Sequence, residues 1–305
     1  MKVAHQQSNR CTGALCTLLG YSRQAFYKFN QQEETEVFLQ DLVVKKVMEI
    51  RTLQRRIGGR KLYFMLSPYL EKHEIKLGRD AFFDLLRREE LLVRIRRRKT
   101  ITTDSNHYWR RYPNLIKDFV PIAINQLWVS DITYIVIGSG FGYLSLITDA
   151  FSRKIIGFHL SKDLRAEGCI ITLNKALKEL NVKGRQPIHH SDRGVQYCCF
   201  GYVEILKEKG IEISMTQNGD PKENALAERV NGILKVELLE ERYSDFKTAE
   251  KAIAKAVSIY NHFRPHSSIG NLTPHQAHTM PGLKPDKLWK SYYRYSKTKN
   301  AHEMV

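Results

Sequence analysis

The chain has 305 residues, enough for about two domains with a real core, and its formal net charge of +17 favours a polyanionic partner. Five cysteines with no paired Cys-x-x-Cys motif argue against a disulfide-stapled secreted scaffold and against a structural zinc site. No apolar run approaches the roughly 18 residues of a membrane span, and the start lacks a signal-peptide core, so a cytoplasmic place without a membrane partner is expected.

The charge is uneven. Residues 1–118 hold 24 Lys and Arg against 13 Asp and Glu, whereas residues 119–305 hold 25 against 19. The front is the more basic part, as suits a DNA-reading segment; the plainer reading is a soluble protein that is merely basic. Residues 11–29 read as a short helix, a turn at Gly20 and a second helix opened by Ser22, a good N-cap. Leu15, Leu18, Leu19, Phe26 and Tyr27 supply an apolar side. Residues 1–35 thus form a helix-turn-helix-like segment, or a plain helical hairpin. Residues 36–100 read as a helical DNA-binding domain, with Val37, Leu39, Leu42, Val43, Val47 and Ile50 on one amphipathic segment. It is interrupted by Arg55-Arg56-Ile57-Gly58-Gly59-Arg60-Lys61, where close-approaching glycines beside Arg55, Arg56, Arg60 and Lys61 suit phosphate contacts. After a helix from Asp80 to Leu92 comes a basic run in which Arg96, Arg97, Arg98 and Lys99 are expected to track DNA.

Residues 101–125 read as a linker. His107-Tyr108-Trp109-Arg110-Arg111-Tyr112 could stack on bases or strap the following domain. From 126 to 280 the pattern changes. Trp128–Ile137, Tyr143–Asp149 and Lys154–Leu160 are β-rich runs with short turns, an antiparallel meander. A helix near Ala166–Leu180 follows, then a strand ending at Asp192, a helix near Phe200–Lys209, the strand Ile211–Met215 and a helix bearing Glu228. The fold class is therefore α/β, in the order βββαβαβα of a ribonuclease H-like core, preceded by an all-α region. A last helix near Thr248–Phe263 and a basic aromatic tail over 281–305, with Trp289, Tyr292, Tyr293 and Tyr295, close the chain.

Three acids stand out. Asp131 lies inside Trp128-Val129-Ser130-Asp131-Ile132-Thr133-Tyr134, and Asp192 follows Pro187-Ile188-His189-His190-Ser191 at the carboxyl end of a strand, where an acid faces a site. Glu228 sits on the helix Asn224-Ala225-Leu226-Ala227-Glu228-Arg229-Val230-Asn231. Phosphoryl transfer needs an activated oxygen nucleophile, a stabilised leaving oxygen and charge relief at phosphorus. Two Mg²⁺ ions on hard carboxylate ligands supply all three, and Mn²⁺ can substitute. Helical phase selects the glutamate. At about 100° per residue, Asn224, Glu228, Asn231 and Lys235 share one face, while Glu223 and Glu237 point more than about 100° away from Glu228. Glu237 falls in the arc of Leu226, Val230, Ile233 and Leu234. Lys235 could hold a DNA phosphate, or be a surface lysine. Asp220 and Pro221 look like the start of this helix. Asp149 reads as a cap on the turn into the third strand, and His190 as structural. Arg193, Gln196 and Tyr197 could line a DNA channel. Arg264, between His262 and His266, is a further candidate DNA contact whose plainer role is packing.

The spacing carries a resemblance. There are 60 residues between Asp131 and Asp192 and 35 between Asp192 and Glu228. With Trp128 to Tyr134, His190 to Tyr197, Asn224 to Glu237 and Tyr260-Asn261-His262-Phe263-Arg264-Pro265-His266, this resembles the DDE transposase and retroviral integrase superfamily. It is most like the second reading frame of insertion-sequence family three transposases. The zinc-binding front domain of retroviral integrases is not visible here. The resemblance implies metal-dependent cleavage at insertion-sequence ends, with water freeing a 3′-OH that then attacks another strand, and a circular intermediate before integration. It implies Asp131, Asp192 and Glu228 as metal ligands, terminal inverted repeats and target DNA as partners, and at least a dimer. It also implies a bacterial, nucleoid-associated protein, possible fusion to an upstream-frame product, and a helix-turn-helix front. The rivals are a ribonuclease H-type metal nuclease and a non-catalytic DNA-binding regulator.

If the front binds DNA by neutralising about 6–8 phosphates, residues 1–118 should bind with a log–log salt slope of roughly −5 to −7. Binding by that fragment, measured from low to moderate salt, checks this; a flat response would show that the basic excess is no DNA footprint.

Overall fold

The computed structural model describes residues 12–93, 110–180, 186–217, 221–280 and 282. Contacts divide the chain into two compact units at residue 94. Among the described residues no helix is long and apolar enough to cross a membrane.

The first unit is helical. Helix α1 (Thr12–Leu18) ends in a turn at Gly20, whose φ of 72° is cheap only without a Cβ. Ser22 then caps α2 (Arg23–Leu53), accepting from the Ala25 N–H at 3.1 Å. The expected hairpin is present, but α2 runs for 31 residues, so the division expected at residue 35 falls inside one helix. Nothing in Glu34-Thr35-Glu36 breaks a helix, and change of composition is not a break. Helices α3 (Gly59–Lys72) and α4 (Arg79–Arg88) pack on the distal half of α2. Val43, Val47, Ile57, Leu62, Leu66, Leu70, Phe82, Leu85 and Leu86 form the core there. Gly59 has a packing reason, because a Cβ there would meet the Phe83 ring at 2.8 Å.

The second unit holds, among the described residues, a five-stranded sheet in the order β3-β2-β1-β4-β5. Its strands are β1 (Leu127–Ile137), β2 (Gly140–Asp149), β3 (Ile155–Ser161), β4 (Ile188–Ser191) and β5 (Glu212–Met215). β1, β2 and β3 are the expected antiparallel meander, whereas β4 and β5 run parallel to β1. This is the ribonuclease H-like order, reached through α5 (Ala166–Glu179) after β3 and α6 (Val195–Cys198) with α7 (Phe200–Glu208) after β4. A 3₁₀ turn (Pro221–Asn224) then leads into α8 (Ala225–Ile233) and a π turn (Leu234–Leu238), and α9 (Phe246–His262) follows. Thr273 caps α10 (Pro274–Thr279) with a capping box.

Alternation along β1 sorts the layers. Trp128 and Ile132 join Ile147, Leu173, Tyr202 and Leu206 on the α5–α7 side. On the other parity, Ile135 joins Val230, Leu234, Ile253 and Tyr260 on the α8–α9 side, and Val129 meets Ala227 of α8. Asp131 shares that second parity, so it points towards α8 and away from the α5 layer. Where α5 crosses β3 the approach is close: a Cβ on Gly157 would stand 2.5 Å from the Thr172 carbonyl oxygen and 3.2 Å from Ala176.

Backbone on the facing side cannot give way, so Gly157→Ala should cost about 2 kcal/mol or more. Gly140→Ala, where a Cβ meets nothing within 4 Å, should stay within about 0.5 kcal/mol. Urea unfolding of the full chain compares the two.

Candidate active site

Each acid arrives on a different element. Asp131 is in mid-β1, half-buried, two residues past the last pair of the β1–β4 ladder, Val129↔His190. Its Oδ1 accepts from the Ile132 N–H at 2.9 Å and its Oδ2 from Asn231 Nδ2 of α8 at 2.7 Å. Asp192 lies just beyond β4, where its Oδ1 accepts from the Gly194 N–H at 3.0 Å. That turn is tight around the carboxylate: a Cβ on Gly194 would sit 3.1 Å from Asp192 Oδ1. Glu228 is in the first turn of α8 with its side chain exposed.

Electrostatics ties the three together. Burial pushes the Asp131 carboxyl up to about 7, the charge of Asp192 pushes it further the same way, and Glu228 adds a smaller push. The N–H groups of Asn231 and Ile132 work against that rise. The charges of Asp192 and Glu228, on two other elements, thus reach Asp131. Among the described residues, however, no three His, Cys, Asp or Glu side chains converge closely enough to hold an ion as they stand. Asp131 and Asp192 are each tethered to a local N–H donor, and like charges hold apart. The donor set itself, carboxylate oxygens beside carboxamides, suits a hard divalent cation such as Mg²⁺ rather than a soft one.

The neighbouring histidines are structural. Burial pushes His190 down to about 4 and His189 down to about 3, so both imidazoles are neutral near pH 7. His190 Nε2 lies 3.0 Å from the Glu223 carbonyl, which only accepts, so this nitrogen carries the proton and Nδ1 accepts from the Ser214 hydroxyl at 2.8 Å. His190 therefore links β4 and β5 to the 3₁₀ turn that launches α8. His189, on the other face, lies 2.7 Å from Ser130 Oγ and 2.8 Å from Tyr202 Oη.

The remaining candidates divide. Lys235 lies on the face expected for it: its Nζ donates to Thr133 Oγ1 of β1 at 3.1 Å, two residues beyond Asp131. Asn231, on the phase-matched face but without an assigned role, touches an acid directly. Arg193 is half-buried, and its Nε donates to the Thr216 carbonyl beside β5. Gln196 donates to the Leu164 carbonyl at 2.8 Å. Tyr197 does not line a channel; it is buried with its ring against Tyr202 and His189. Asp149 caps its turn as expected, with Oδ1 accepting from the Ser152 N–H and hydroxyl, both at 2.7 Å.

Arg264 is the clear correction. It is 2% exposed and forks onto Glu237, Nη2 to Oε1 and Nε to Oε2, both at 2.8 Å. Its Nη1 also lies 3.0 Å from His266 Nε2. A guanidinium enclosed in this way cannot meet DNA. Glu237 is accordingly not in an apolar arc. The π turn takes more residues per turn than an α-helix and re-aims it at α9's end.

In the first unit, Arg55 and Arg60 are exposed and Arg56 and Lys61 half-buried, grouped about the start of α3. Gly58, at the N-cap of α3, offers no side chain to its first N–H groups, a setting that suits an anion. Arg96, Arg97, Arg98 and Lys99 lie outside the described residues, as do Cys11, His107 to Trp109, Asp220 and the aromatic tail with Trp289.

The integrase core domain family matches residues 123–221 and, with a second profile of the same description, 209–274. The insertion element IS600 31 kDa protein of Shigella sonnei is 33% identical over 270 residues, which is 85% of this chain and 96% of the relative. The transposase for insertion sequence element IS629 of the same organism is 28% identical over 273 residues, 87% of this chain and 90% of the relative. Among solved structures, the HTLV-2 integrase catalytic core domain in complex with magnesium is 21% identical, covering 52% of this chain and 98% of that chain, with a TM-score of 0.40.

Removing one partner of the enclosed ion pair leaves the other charge buried. Glu237→Gln should therefore destabilise the chain by about 3 kcal/mol, read by chemical unfolding, and leave DNA binding by the folded fraction unchanged. A neutral effect would show that the pair is not structural.

Proposed function

The chain belongs to the insertion-sequence transposases that carry an integrase core domain, enzymes of the DDE polynucleotidyl-transferase type, and from that premise we propose that Asp131, Asp192 and Glu228 are its catalytic acids. The observation that carries the assignment is geometric: the helix that bears Glu228 is hydrogen-bonded to Asp131 through Asn231 at 2.7 Å, and Asp192 follows β4, the strand paired beside β1; the charges of Asp192 and Glu228 push the Asp131 carboxyl the same way as its burial. Like charges that push a carboxyl up in this way are relieved by a proton or by a cation bound among them. Two Mg²⁺ or Mn²⁺ ions, when bound, would relieve charge at phosphorus and stabilise the attacking and leaving oxygens.

The chain's own residues set the rest. Asp131, on β1, and Asp192, in the turn just beyond β4, define the floor of the site. Glu228, long and exposed on α8, completes the set from above. Lys235, held towards β1 by Thr133, stands where it can take a phosphate oxygen of the bound end. Arg193 sits beside Asp192 for the same purpose. At the front, Arg55, Arg56, Arg60 and Lys61 around the start of α3, continued in sequence by Arg96, Arg97, Arg98 and Lys99, bind the terminal repeat. The reaction is cleavage at the element's end followed by attack of the freed 3′-OH on a second strand. Pairing two ends requires at least a dimer, and a product of an upstream frame can be joined to this one.

Glu228→Gln keeps size and removes the charge a cation needs. It should abolish nicking and joining of a labelled terminal repeat in Mn²⁺ while gel-shift binding of the same DNA stays within a few-fold of wild type. Chelator should do the same to the wild-type chain. Near-normal cleavage by the Glu228 variant, or full cleavage in chelator, would overturn the assignment.

A further inference from the structure

Asn224 occupies the N-cap of α8, where an asparagine ordinarily turns its side-chain oxygen onto the helix's own first N–H groups. Here it makes no such cap. Its Nδ2 reaches instead to the Ser130 main-chain carbonyl, at 2.9 Å, in the strand that carries Asp131. Seven residues on, Asn231 crosses the same gap, its Nδ2 donating to Asp131 Oδ2 at 2.7 Å. The two stand four residues before Glu228 and three after it, so they bracket that acid along one helix face. Both are almost fully enclosed, 6% and 5% exposed. In neither does Oδ1 have a hydrogen-bond partner among the described residues. An enclosed acceptor without a partner costs stability, so packing alone would favour an apolar side chain at both places.

We propose that Asn224 and Asn231 are positioning residues, a pair of carboxamide clamps that lock α8 onto β1 and so fix Glu228 relative to Asp131. This rests on the reading of Asp131, Asp192 and Glu228 as the metal-binding acids. Asn224 sets the height of the helix through a main-chain atom that cannot move without the strand. Asn231 acts on the acid itself. With the Ile132 N–H on Oδ1 and Asn231 on Oδ2, the Asp131 carboxylate is held in one orientation. Orienting partners of metal ligands alter metal affinity by about 10–100-fold.

A third asparagine provides the contrast. Asn261 is also buried and also clasps a strand, accepting from the Ile155 N–H at 3.0 Å and donating to the Ile155 carbonyl at 2.9 Å. Ile155 opens β3, at the opposite edge of the sheet from β5, and among the described residues Asn261 makes no hydrogen bond to any of the three acids.

The test uses the full chain and Mn²⁺ alone, without DNA. The rise of the unfolding midpoint with Mn²⁺ is followed for wild type, Asn224→Ala, Asn231→Ala, Asn231→Leu, Asn261→Ala and Asp131→Asn; Asn231→Leu guards against loss of fold through a cavity. The half-saturating Mn²⁺ should rise about 10-fold or more for both Asn231 variants and several-fold for Asn224→Ala. It should be unchanged for Asn261→Ala, whose metal-free midpoint falls. Nicking by the Asn231 variants should recover to within a few-fold of wild type at saturating Mn²⁺. If the Asn224 and Asn231 variants behave like Asn261→Ala, less stable but with wild-type metal response, the clamps are structural only and the proposal fails. A wild-type midpoint indifferent to Mn²⁺, or an Asp131→Asn chain that responds like wild type, would instead refute the three-acid metal reading.

Discussion

Like charges brought together in a partly buried place repel, and in the second unit of this protein Asp131 is subject to the charges of two other acids, Asp192 and Glu228. The effect is visible on Asp131, whose carboxyl is pushed to about 7 by burial and by the charges of Asp192 and Glu228. No single element could present all three. A strand supplies the first, the end of a neighbouring parallel strand the second and a helix laid across the sheet the third. The parallel pairing of Leu127 with Ile188 through Val129 with His190 fixes the first two acids relative to each other. Docking of α8 fixes the third, so the site is as accurate as two interfaces allow.

Those interfaces are held by polar groups as well as apolar ones. Val230, Ile233 and Leu234 seat α8 on the sheet through the core, but apolar contact is non-directional and tolerates sliding. The directional contacts are Asn224 to Ser130, Asn231 to Asp131, Lys235 to Thr133 and His190 to the Glu223 carbonyl. A histidine serves at position 190 because burial keeps it neutral, with one nitrogen donating and the other accepting. A lysine there would bring a buried charge next to the site, and a serine would not span from Ser214 to the turn.

Much of this was legible in the sequence, for physical reasons that differ by element. β1 was readable because its alternate residues enter two different apolar layers, whereas β2, β4 and β5 are buried on successive residues and show no period-2 alternation. The shared face of Glu228 and Asn231 was readable because both lie in α8, a true α-helix up to Ile233. Beyond that the 3.6-residue rule stops applying. The π turn at Leu234–Leu238 leaves no mark in the hydrophobic pattern, and Glu237 was misplaced for that reason. Arg264 was misread because a basic residue between two histidines looks like surface, and its partner Glu237 lies 27 residues away. Tyr197 shows the reverse: it follows a site residue closely in sequence, yet its short helix α6 turns it into the core with Tyr202. Continuity of α2 across residue 35 was hidden because a change from polar to apolar composition need not interrupt a helix.

The Glu237–Arg264 pair also bears on how charge is used around the site. Lys235 and Glu237 are two residues apart in one π turn, yet they face opposite neighbours, Thr133 of β1 and Arg264 beyond α9. A regular α-helix continued from α8 would carry Glu237 round to the apolar arc of Val230 and Leu234. The widened turn avoids that burial and lets the acid meet a guanidinium in a fork of two 2.8 Å hydrogen bonds. The far end of the α8 segment is thereby anchored to the chain after α9, while its near end is anchored by Asn224 to β1. Between these anchors, Lys235 is turned to β1, where it donates to Thr133. The formal charge of +17 therefore includes at least one cation, Arg264, that is buried against Glu237 rather than exposed to meet a phosphate.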